Sequence, residues 1–275
     1  MDPMTGKKVV LVTGASSGIG LAIATQLASD GHRVFGTSRR ASGADGGGAA
    51  PMGVSMLSLD VCADDSVRAC VAAILAQAGR IDVLVNNAGY LLAGAIEEAT
   101  VEQAKAQFET NFFGVVRMVK AVLPTMRAQR GGQIVNMSSL AGLVPPPFWG
   151  FYNASKFAVE GYSETLRIEL KPLGIWVSMV EPGAIKTAFS AQSAAVPMPE
   201  YSPWRDRGLA TMRGFADKAP GPDVVARVVS KIVKSSRPRL RYPVTAEATY
   251  FPLMRRFLPE GVFESGARRA FHLDR

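Results

Sequence analysis

An eight-residue segment with three glycines, residues 13–20 (Thr-Gly-Ala-Ser-Ser-Gly-Ile-Gly), constrains the fold of this chain more than any other part of the sequence. The four residues before it, 9–12, are aliphatic and mostly β-branched, which predicts a short strand buried on both faces. The residues after it have apolar side chains at helical spacing as far as Asp30 and Gly31, where the helix should end. A strand, a glycine turn and a helix in this order predict the first unit of a parallel α/β sheet.

The same glycine turn is a candidate binding site for a dinucleotide. Glycines let a pyrophosphate approach the main chain, and the N–H groups at the start of the next helix carry partial positive charge. The cofactor-binding candidates in this turn are Gly14, Ser16, Ser17, Gly18, Ile19 and Gly20. The spacing G-x-x-x-G-x-G differs from the commoner G-x-G-x-x-G, so an ordinary turn remains the alternative interpretation.

The end of the second predicted strand, residues 33–40, bears on the choice of cofactor. In a fold of this type, residues at that point approach the adenosine ribose, and an acidic side chain there favours NAD. This chain has Ser38, Arg39 and Arg40 instead, and guanidinium groups can pair with a 2′-phosphate. We therefore expect NADP(H), with a solvated pair of arginines as the alternative. The Gly/Ala/Ser-rich residues 41–50 predict a loop.

Three later predicted strands end in residues that could contact the same cofactor. The candidates are Asp60 and Val61 after residues 54–60, Asn87, Ala88 and Gly89 after residues 81–85, and Pro182, Gly183, Ile185 and Thr187 after residues 175–180. The first pair could face adenine, although Asp60 could instead cap the helix predicted over residues 64–78. The last four follow a break in the chain that we expect beside a nicotinamide.

Tyr152 and Lys156 are the strongest candidates for proton transfer. If Tyr152 lies near the start of a helix, Lys156 lies one turn further along the same face. A phenol has a reference pKa of about 10, and we expect the neighbouring ammonium to lower the pKa of Tyr152. Ser139 precedes this pair and could hold a carbonyl or alcohol oxygen. The alternative for Tyr152 and Lys156 alone is a pair on a helix surface.

Asn111 lies in the middle of a helix predicted over residues 101–130, where asparagine is not preferred. It could bond a backbone carbonyl or support a chain of water molecules leading to Lys156. An ordinary core amide with satisfied hydrogen bonds is the alternative.

Composition narrows the classes of protein that need to be considered. A chain of 275 residues with 48% hydrophobic and 20% charged residues predicts one globular α/β domain over residues 1–275. The net charge of +8 comes without a nucleic-acid-binding motif, so we expect no nucleic-acid partner. Two cysteines and two histidines give no metal-binding spacing, and we expect no metal and a reduced, cytoplasmic setting. The first residues lack the apolar run of a secretion signal or a membrane span.

The last part of the chain predicts a substrate lid and an extension. Residues 188–219 lose apolar periodicity and collect methionine and aromatic side chains, which suit an apolar ligand, although packing of a surface subdomain is the alternative. Residues 245–275 mix apolar residues with arginines. This tail is compatible with peripheral contact to a membrane surface, with a dimer contact, or with a helix that closes the substrate pocket.

Taken together, these motifs resemble the classical short-chain dehydrogenases/reductases over residues 8–240. The resemblance implies a single Rossmann-type, doubly wound α/β fold with a seven-stranded parallel sheet flanked by helices. It also implies that Asn111, Ser139, Tyr152 and Lys156 form the catalytic set, that Tyr152 and Lys156 also contact the cofactor, and that the helices holding Asn111 and Tyr152 build a homodimer or homotetramer. The lid and tail are similar to those of the 17β-hydroxysteroid and retinol dehydrogenase-like branch.

The expected function is NADP(H)-dependent transfer of a hydride between nicotinamide and a hydrophobic ketone or secondary alcohol of steroid, retinoid, polyketide or acyl type. Two alternatives belong to other classes. One is a non-catalytic NADP(H)-binding regulatory protein, and the other is a partner protein at a membrane surface. An intact set of Ser139, Tyr152 and Lys156 favours the enzyme over both.

Overall fold

The computed structural model describes residues 6–39, 53–187 and 191–274. Seven parallel strands form one sheet in the order β3-β2-β1-β4-β6-β7-β9. These strands are β1 (Val9–Val12), β2 (Arg33–Ser38), β3 (Val54–Ser58), β4 (Val83–Asn86), β6 (Gly132–Met137), β7 (Ile175–Glu181) and β9 (Arg241–Pro243). Two short strands, β5 (Leu91–Ala93) and β8 (Ala191–Ser193), pair outside this sheet. The predicted seven-stranded parallel sheet is confirmed.

Helices cover both faces of the sheet. The α-helices of the described residues are α1 (Gly18–Ser29), α2 (Asp64–Ala78), α3 (Val101–Phe108), α4 (Gly114–Ala128), α5 (Gly150–Leu170), α6 (Ser202–Lys218), α7 (Asp223–Lys234), α8 (Ala246–Phe257) and α9 (Glu260–Ala270). Alternate residues of β1 point to the two faces of the sheet. Leu11 packs in the core beneath α2, α4 and α5. Val10 and Val12 pack in the core beneath α1 and α7. A strand buried on both faces needs apolar residues throughout, as β1 has.

The order of the strands places the glycine turn at a ligand-binding position. After β3 the chain crosses to the other side of β1 to form β4, so the connections that follow β1 and β4 leave the sheet in opposite directions. Open α/β sheets bind ligands in the crevice at the carboxyl ends of such strands. The segments that follow β1 and β4 therefore meet where the sequence analysis expected the cofactor.

The helix predicted over residues 101–130 is two helices with a break. A π-helical turn, Glu109–Phe113, separates α3 from α4 and contains Asn111. Such turns insert one extra residue into a helix and are frequent at functional sites. The apolar spacing on either side continued across the break, which is why the sequence pattern predicted a single helix.

The segment predicted as a substrate lid contains a helix that apolar periodicity did not indicate. Residues 188–190 and 40–52, which include Arg40 and the predicted loop 41–50, lie outside the described residues. Residues 202–218, part of the segment without apolar periodicity, form the 17-residue helix α6. Only Gly208 of α6 is buried, so this helix has no apolar stripe from which periodicity could identify it. In the described parts of the chain, no helix is long and apolar enough to cross a membrane.

Candidate active site

The glycine turn after β1 has a backbone that side chains would obstruct. Gly14 and Gly18 have φ angles of 67° and 55°, in the left-handed region that favours glycine. A Cβ atom on Gly20 would lie 2.2 Å from the Gly14 carbonyl oxygen. Ser17, at the N-cap position of α1, makes no side-chain capping hydrogen bond. The turn therefore presents main-chain N–H groups at a helix start, which is an arrangement that binds phosphate.

Two polar side chains join this turn to the segment that follows β4. The Thr13 hydroxyl accepts hydrogen bonds from the backbone N–H groups of Asn87 and Ala88, at 2.9 and 3.0 Å. The Asn87 amide in turn donates to the carbonyl oxygens of Thr13 and Gly14, at 2.9 and 3.1 Å. The structure thus brings the predicted residues of both segments together. The side chain of Ile19 points away from this site, because it packs against the core beneath α1.

The residues expected near adenosine lie at the ends of β2 and β3. Ser38 ends β2 and Arg39 is exposed directly after it, while Arg40 lies outside the described residues. The Ser38 carbonyl accepts a hydrogen bond from the N–H of Leu59 at 2.8 Å, which fixes the end of β3 beside it. Arg39 is therefore placed to meet a group approaching from solvent.

Asp60 and Val61 serve local structure in this region. The alternative that Asp60 caps α2 is wrong, because Ala63 occupies the N-cap position. The Asp60 carboxylate instead accepts a hydrogen bond from the N–H of Cys62 at 2.9 Å. This bond forms a turn just before α2. The Val61 side chain is buried in the core, so only its backbone could face a ligand.

The segment after β7 lies between the glycine turn and Ser139. The Pro182 carbonyl accepts the N–H of Leu140 at 2.8 Å, next to Ser139. At the other end of the segment, the Thr187 side chain lies 3.7 Å from the position that a Cβ on Gly18 would take. Ile185 packs against the core, so its main chain rather than its side chain is available to a cofactor.

Tyr152, Ser139 and Lys156 come together at the start of α5. The Tyr152 phenol makes a hydrogen bond with the Ser139 hydroxyl. The Lys156 Nζ lies 5.7 Å from the centre of the Tyr152 ring and donates to the Met137 carbonyl oxygen at 2.8 Å. The alternative of an exposed surface pair is excluded, since Tyr152 and Lys156 are each only 7% exposed.

The expected lowering of the Tyr152 pKa by Lys156 is wrong for this structure. Burial raises the pKa of Tyr152 to about 12, and the hydrogen bond with Ser139 only partly offsets this effect. Burial also lowers the pKa of Lys156 to about 8, against the opposing charge of Glu160. The physical reason is that both groups are removed from water, which disfavours their charged forms. Tyr152 is therefore a protonated phenol at neutral pH.

Asn111 has hydrogen bonds on both ends of its amide. Its Nδ2 donates to the Tyr90 carbonyl at 2.9 Å and to the Ser155 hydroxyl at 3.3 Å, and its Oδ1 accepts the Tyr90 N–H at 3.1 Å. Ser155, which the sequence analysis missed, donates to the Tyr152 carbonyl at 2.7 Å. Asn111 and Tyr152 are thus joined through Ser155. The signal for Ser155 was its position inside the segment from Tyr152 to Lys156.

The segment predicted as a lid is attached to the connection after β5 through a buried carboxylate. Glu98 is 1% exposed, accepts the N–H groups of Ala95 and Met198 at 2.8 Å each, and pairs with Arg205 of α6. A cleft of about 450 Å³ next to this attachment is lined by Ala95, Ile96, Glu97, Phe148 and Tyr201. Phe148 also lies against α6, at 2.7 Å from the position of a Cβ on Gly208.

The tail contacts the candidate site directly through α8. The Glu247 carboxylate accepts the N–H of Ala184 at 3.1 Å, in the segment after β7. Arg255 donates to the Leu143 carbonyl, in the connection after Ser139, and lies over the Phe157 ring at 5.5 Å. Most apolar side chains of α8 face outward, and Phe257 is 74% exposed.

Comparison with known proteins supports the expected resemblance. The model of the family described as short chain dehydrogenase matches residues 8–196. Retinol dehydrogenase 8 of Bos taurus is 39% identical over 276 residues, covering 92% of this chain and 86% of that protein. The 3-ketodihydrosphingosine reductase of Bacteroides thetaiotaomicron is 50% identical over 183 residues, covering 66% of each protein, so this match spans slightly less than two thirds of that relative.

Solved structures share the fold along nearly the whole chain. A short-chain dehydrogenase from Streptomyces avermitilis has a TM-score of 0.83 and 34% identity, covering 98% of this chain and 100% of that one. A short-chain dehydrogenase/reductase from Burkholderia phymatum in complex with NAD has a TM-score of 0.78, 27% identity and coverages of 92% and 94%. ElxO with NADP bound has a TM-score of 0.74, 26% identity and coverages of 89% and 100%. These neighbours confirm the Rossmann-type fold.

Proposed function

The chain belongs to the short-chain dehydrogenase family, and from this premise we propose that it is an NADP(H)-dependent oxidoreductase acting on hydrophobic ketones and secondary alcohols. One observation supports the proposal most strongly. Ser139 and Tyr152 share a hydrogen bond in a buried position with Lys156 beside them, next to the segment that runs back to the glycine turn. A carbonyl oxygen between these two hydroxyls would meet both a hydrogen-bond donor and a proton donor.

The residues present fit a dinucleotide. Gly14, Gly18 and Gly20 leave space that Cβ atoms would fill, and the start of α1 beside them has backbone N–H groups for a pyrophosphate. The remaining contacts that we propose are Ser38, Arg39, Arg40, Asp60 and Val61 for adenosine, Asn87, Ala88 and Gly89 along the nucleotide, and Tyr152, Lys156, Pro182, Gly183, Ile185 and Thr187 around the nicotinamide half. When bound, the cofactor supplies the hydride for reduction or accepts it for oxidation.

In the proposed reduction, the residues of the chain orient the substrate and move one proton. Ser139 holds the carbonyl oxygen, and Tyr152 gives its phenolic proton to that oxygen as the hydride reaches the carbonyl carbon. The product is an alcohol, and Tyr152 regains a proton from solvent. Lys156 holds the nicotinamide ribose, and Asn111 supports the water relay that returns the proton. Oxidation of the alcohol reverses each step.

Arg39 provides a test of the proposed cofactor preference. We expect Arg39→Ala to weaken NADPH binding about tenfold or more, which corresponds to about 1.4 kcal/mol, because a paired guanidinium would be lost. Binding of NADH should stay nearly unchanged. Fluorescence titration with both nucleotides measures this, and Arg33→Ala, at the opposite end of the same strand, is the control. Equal binding of NADPH and NADH by the unmodified protein would contradict the preference.

An apolar substrate is supported by the cleft beside the lid and by two relatives. Ile96, Phe148 and Tyr201 contribute apolar surface to the cleft, and Trp149 stacks edge-on against Tyr152 at 5.8 Å. The two relatives are named as a retinol dehydrogenase and as a 3-ketodihydrosphingosine reductase, and both names refer to an apolar substrate. Oxidation of NADPH in the presence of a panel of steroid, retinoid, polyketide and acyl ketones tests the substrate class, and consumption with small polar ketones alone would contradict it.

Residues 188–219 are proposed to act as the substrate lid, which Glu98 holds in place. Glu98→Gln removes the charge of the buried carboxylate and so weakens its bonds to the segment that carries Met198 and Arg205. Hydrogen bonds to charged groups contribute about 1.5–3 kcal/mol. We expect the KM for an apolar ketone to rise about tenfold while NADPH affinity stays unchanged. Glu102→Gln, an exposed change on α3, is the control. An unchanged KM in Glu98→Gln would show that the lid does not position the substrate.

Two alternatives give different experimental results. A non-catalytic regulator would bind NADPH but reduce no ketone of the panel. A protein held at a membrane surface by the tail is favoured by the exposed Tyr250, Phe251 and Phe257. Two of the tail's arginines have internal partners, however, since Arg255 bonds the Leu143 carbonyl and Arg268 pairs with Asp274. Sedimentation with anionic liposomes distinguishes this contact from a helix that only closes the pocket.

Assembly through the helices that hold Asn111 and Tyr152 is part of the proposal. The turn that contains Asn111 exposes 46% of Phe113, and α5 exposes 76% of Ile168. Apolar side chains on neighbouring helices suit an interface between copies. Sedimentation equilibrium should therefore give a homodimer or homotetramer, and a monomer at micromolar concentration would contradict this.

A further inference from the structure

A cluster of charged side chains lies behind the candidate active site. We call Glu160, Glu164, Glu181 and Arg241 the acid cluster. Arg241 of β9 donates to Glu160 and Glu164 of α5 and to Glu181 at the end of β7, with distances of 2.6 Å to Glu164 and 2.5 Å to Glu181. Glu160 and Glu181 are 5% and 2% exposed, whereas the Glu164 side chain is 51% exposed. One guanidinium thus serves two buried carboxylates and one exposed carboxylate.

The acid cluster is adjacent to Lys156. Glu160 follows Lys156 by four residues on α5, so their side chains lie on the same face one turn apart. Gly142 packs closely against this part of α5, because a Cβ there would lie 3.1 Å from the Glu160 Cγ and 3.1 Å from the Lys156 carbonyl oxygen. Within the described residues, Lys156 also contacts the Met137 carbonyl of β6 and the Tyr152 ring, and neither carries a full charge at neutral pH.

The buried charged groups of this region, Lys156, Glu160 and Glu181, stay charged only with help from an oppositely charged neighbour. Burial lowers the pKa of Lys156 to about 8, and the charge of Glu160 acts in the opposite direction. Burial raises the pKa of Glu160, and it raises the pKa of Glu181 to about 7, with nearby carboxylates adding to the effect; Arg241 lowers both. A buried carboxylate without a partner would take up a proton rather than stay charged.

From this geometry we propose that Glu160 and Arg241 are positioning residues of the reaction. The negative charge of Glu160, one turn further along α5, stabilises the charged form of the buried Lys156 ammonium. The positive charge of Arg241 in turn stabilises the charged form of Glu160. The proposal rests on the proposed function, in which Lys156 holds the nicotinamide ribose as a cation. Glu160 and Arg241 thereby set the alkaline limit of cofactor binding and reduction.

The pH dependence of the reaction tests this directly. In the unmodified protein, NADPH affinity and reduction rate should fall as the pH rises through the pKa of Lys156. Glu160→Gln keeps the shape of the side chain but removes its charge, so Lys156 loses its proton at lower pH. We expect the alkaline limb of both profiles to move down by about one pH unit, which is the lower end of the range of about 1–3 units for an opposite charge within about 4–6 Å. Thermal unfolding checks that the variant is folded.

Two further variants make the test specific. Glu164→Gln changes the exposed carboxylate of the same cluster and should leave the limb in place. Arg241→Gln should move the alkaline limb in the same direction as Glu160→Gln, because Glu160 without its guanidinium partner would take up a proton. The Arg241→Gln variant serves as the test if Glu160→Gln does not fold. An unmoved limb in folded Glu160→Gln, or an equal shift in Glu164→Gln, would overturn the proposal. Absence of NADPH binding at every pH in the unmodified protein would instead refute the proposed function.

Discussion

Tyr152→Phe should reduce the rate of NADPH-dependent ketone reduction by about a thousandfold, within the range of about 10²–10⁴ that general acid catalysis contributes. The change removes the phenolic hydroxyl and keeps the ring that stacks with Trp149. Affinity for NADPH should fall little, because the glycine turn and Lys156 remain. Steady-state kinetics for the rate and fluorescence titration for the nucleotide separate the two effects. The loss should therefore appear in kcat rather than in cofactor binding.

Tyr162→Phe is the matched control for this prediction. Tyr162 lies on the same helix, is partly buried, and also has its pKa raised by burial to about 12. Its ring packs edge-on against Phe112, at 5.8 Å, rather than beside Ser139. Activity in Tyr162→Phe should stay close to that of the unmodified protein. Full activity in Tyr152→Phe would mean that another group donates the proton.

Gly20→Ala should have the largest effect on cofactor binding. The added Cβ would lie 2.2 Å from the Gly14 carbonyl oxygen and 2.4 Å from the Asn87 Nδ2, so the glycine turn or the segment after β4 must move. Overpacking of this kind costs about 1–3 kcal/mol of stability. Because these two segments form the proposed nucleotide cradle, we expect NADPH affinity to fall by about a hundredfold, equivalent to about 2.7 kcal/mol. Thermal unfolding and nucleotide titration measure the two losses.

Gly161→Ala provides a control for adding a methyl group to a helix. Gly161 is exposed on α5, and no atom lies within 4 Å of the position that its Cβ would take. Replacing glycine by alanine within a helix stabilises it by up to about 1 kcal/mol. The control should thus raise the unfolding temperature slightly and leave NADPH binding intact. Unchanged NADPH binding in Gly20→Ala would contradict the assignment of the cradle.

The sequence was most informative where one local signal determines one element. β1 has the predicted bounds, because a run of four apolar residues ends at a glycine turn. The helix predicted over residues 64–78 has the observed bounds of α2, since acidic residues begin it and Gly79 ends it with a φ of 70°. Candidate residues at the carboxyl ends of strands could be expected to meet, because parallel strands end at one edge of the sheet.

Features that depend on tertiary contacts were less accessible from the sequence. The π-helical turn at Asn111 leaves the apolar spacing almost unchanged, and α6 buries too little surface to show a stripe. The direction of the Tyr152 pKa shift depends on burial, which no local pattern gives. The contacts of Glu247 with Ala184, and of Arg241 with three carboxylates, join positions more than 59 residues apart.

The most direct test of the central claim is the transfer of a labelled hydride. Unmodified protein is incubated with NADPH that carries deuterium at the reactive carbon of the nicotinamide and, in separate reactions, with each apolar ketone of the panel. The products are analysed by mass spectrometry. Both faces of the nicotinamide are labelled, so the result does not depend on the stereochemistry of transfer. We predict an alcohol with one deuterium on the carbon that carried the carbonyl oxygen. Saturating NADPH binding with every ketone of the panel recovered unreduced would contradict the claim and favour a regulatory protein.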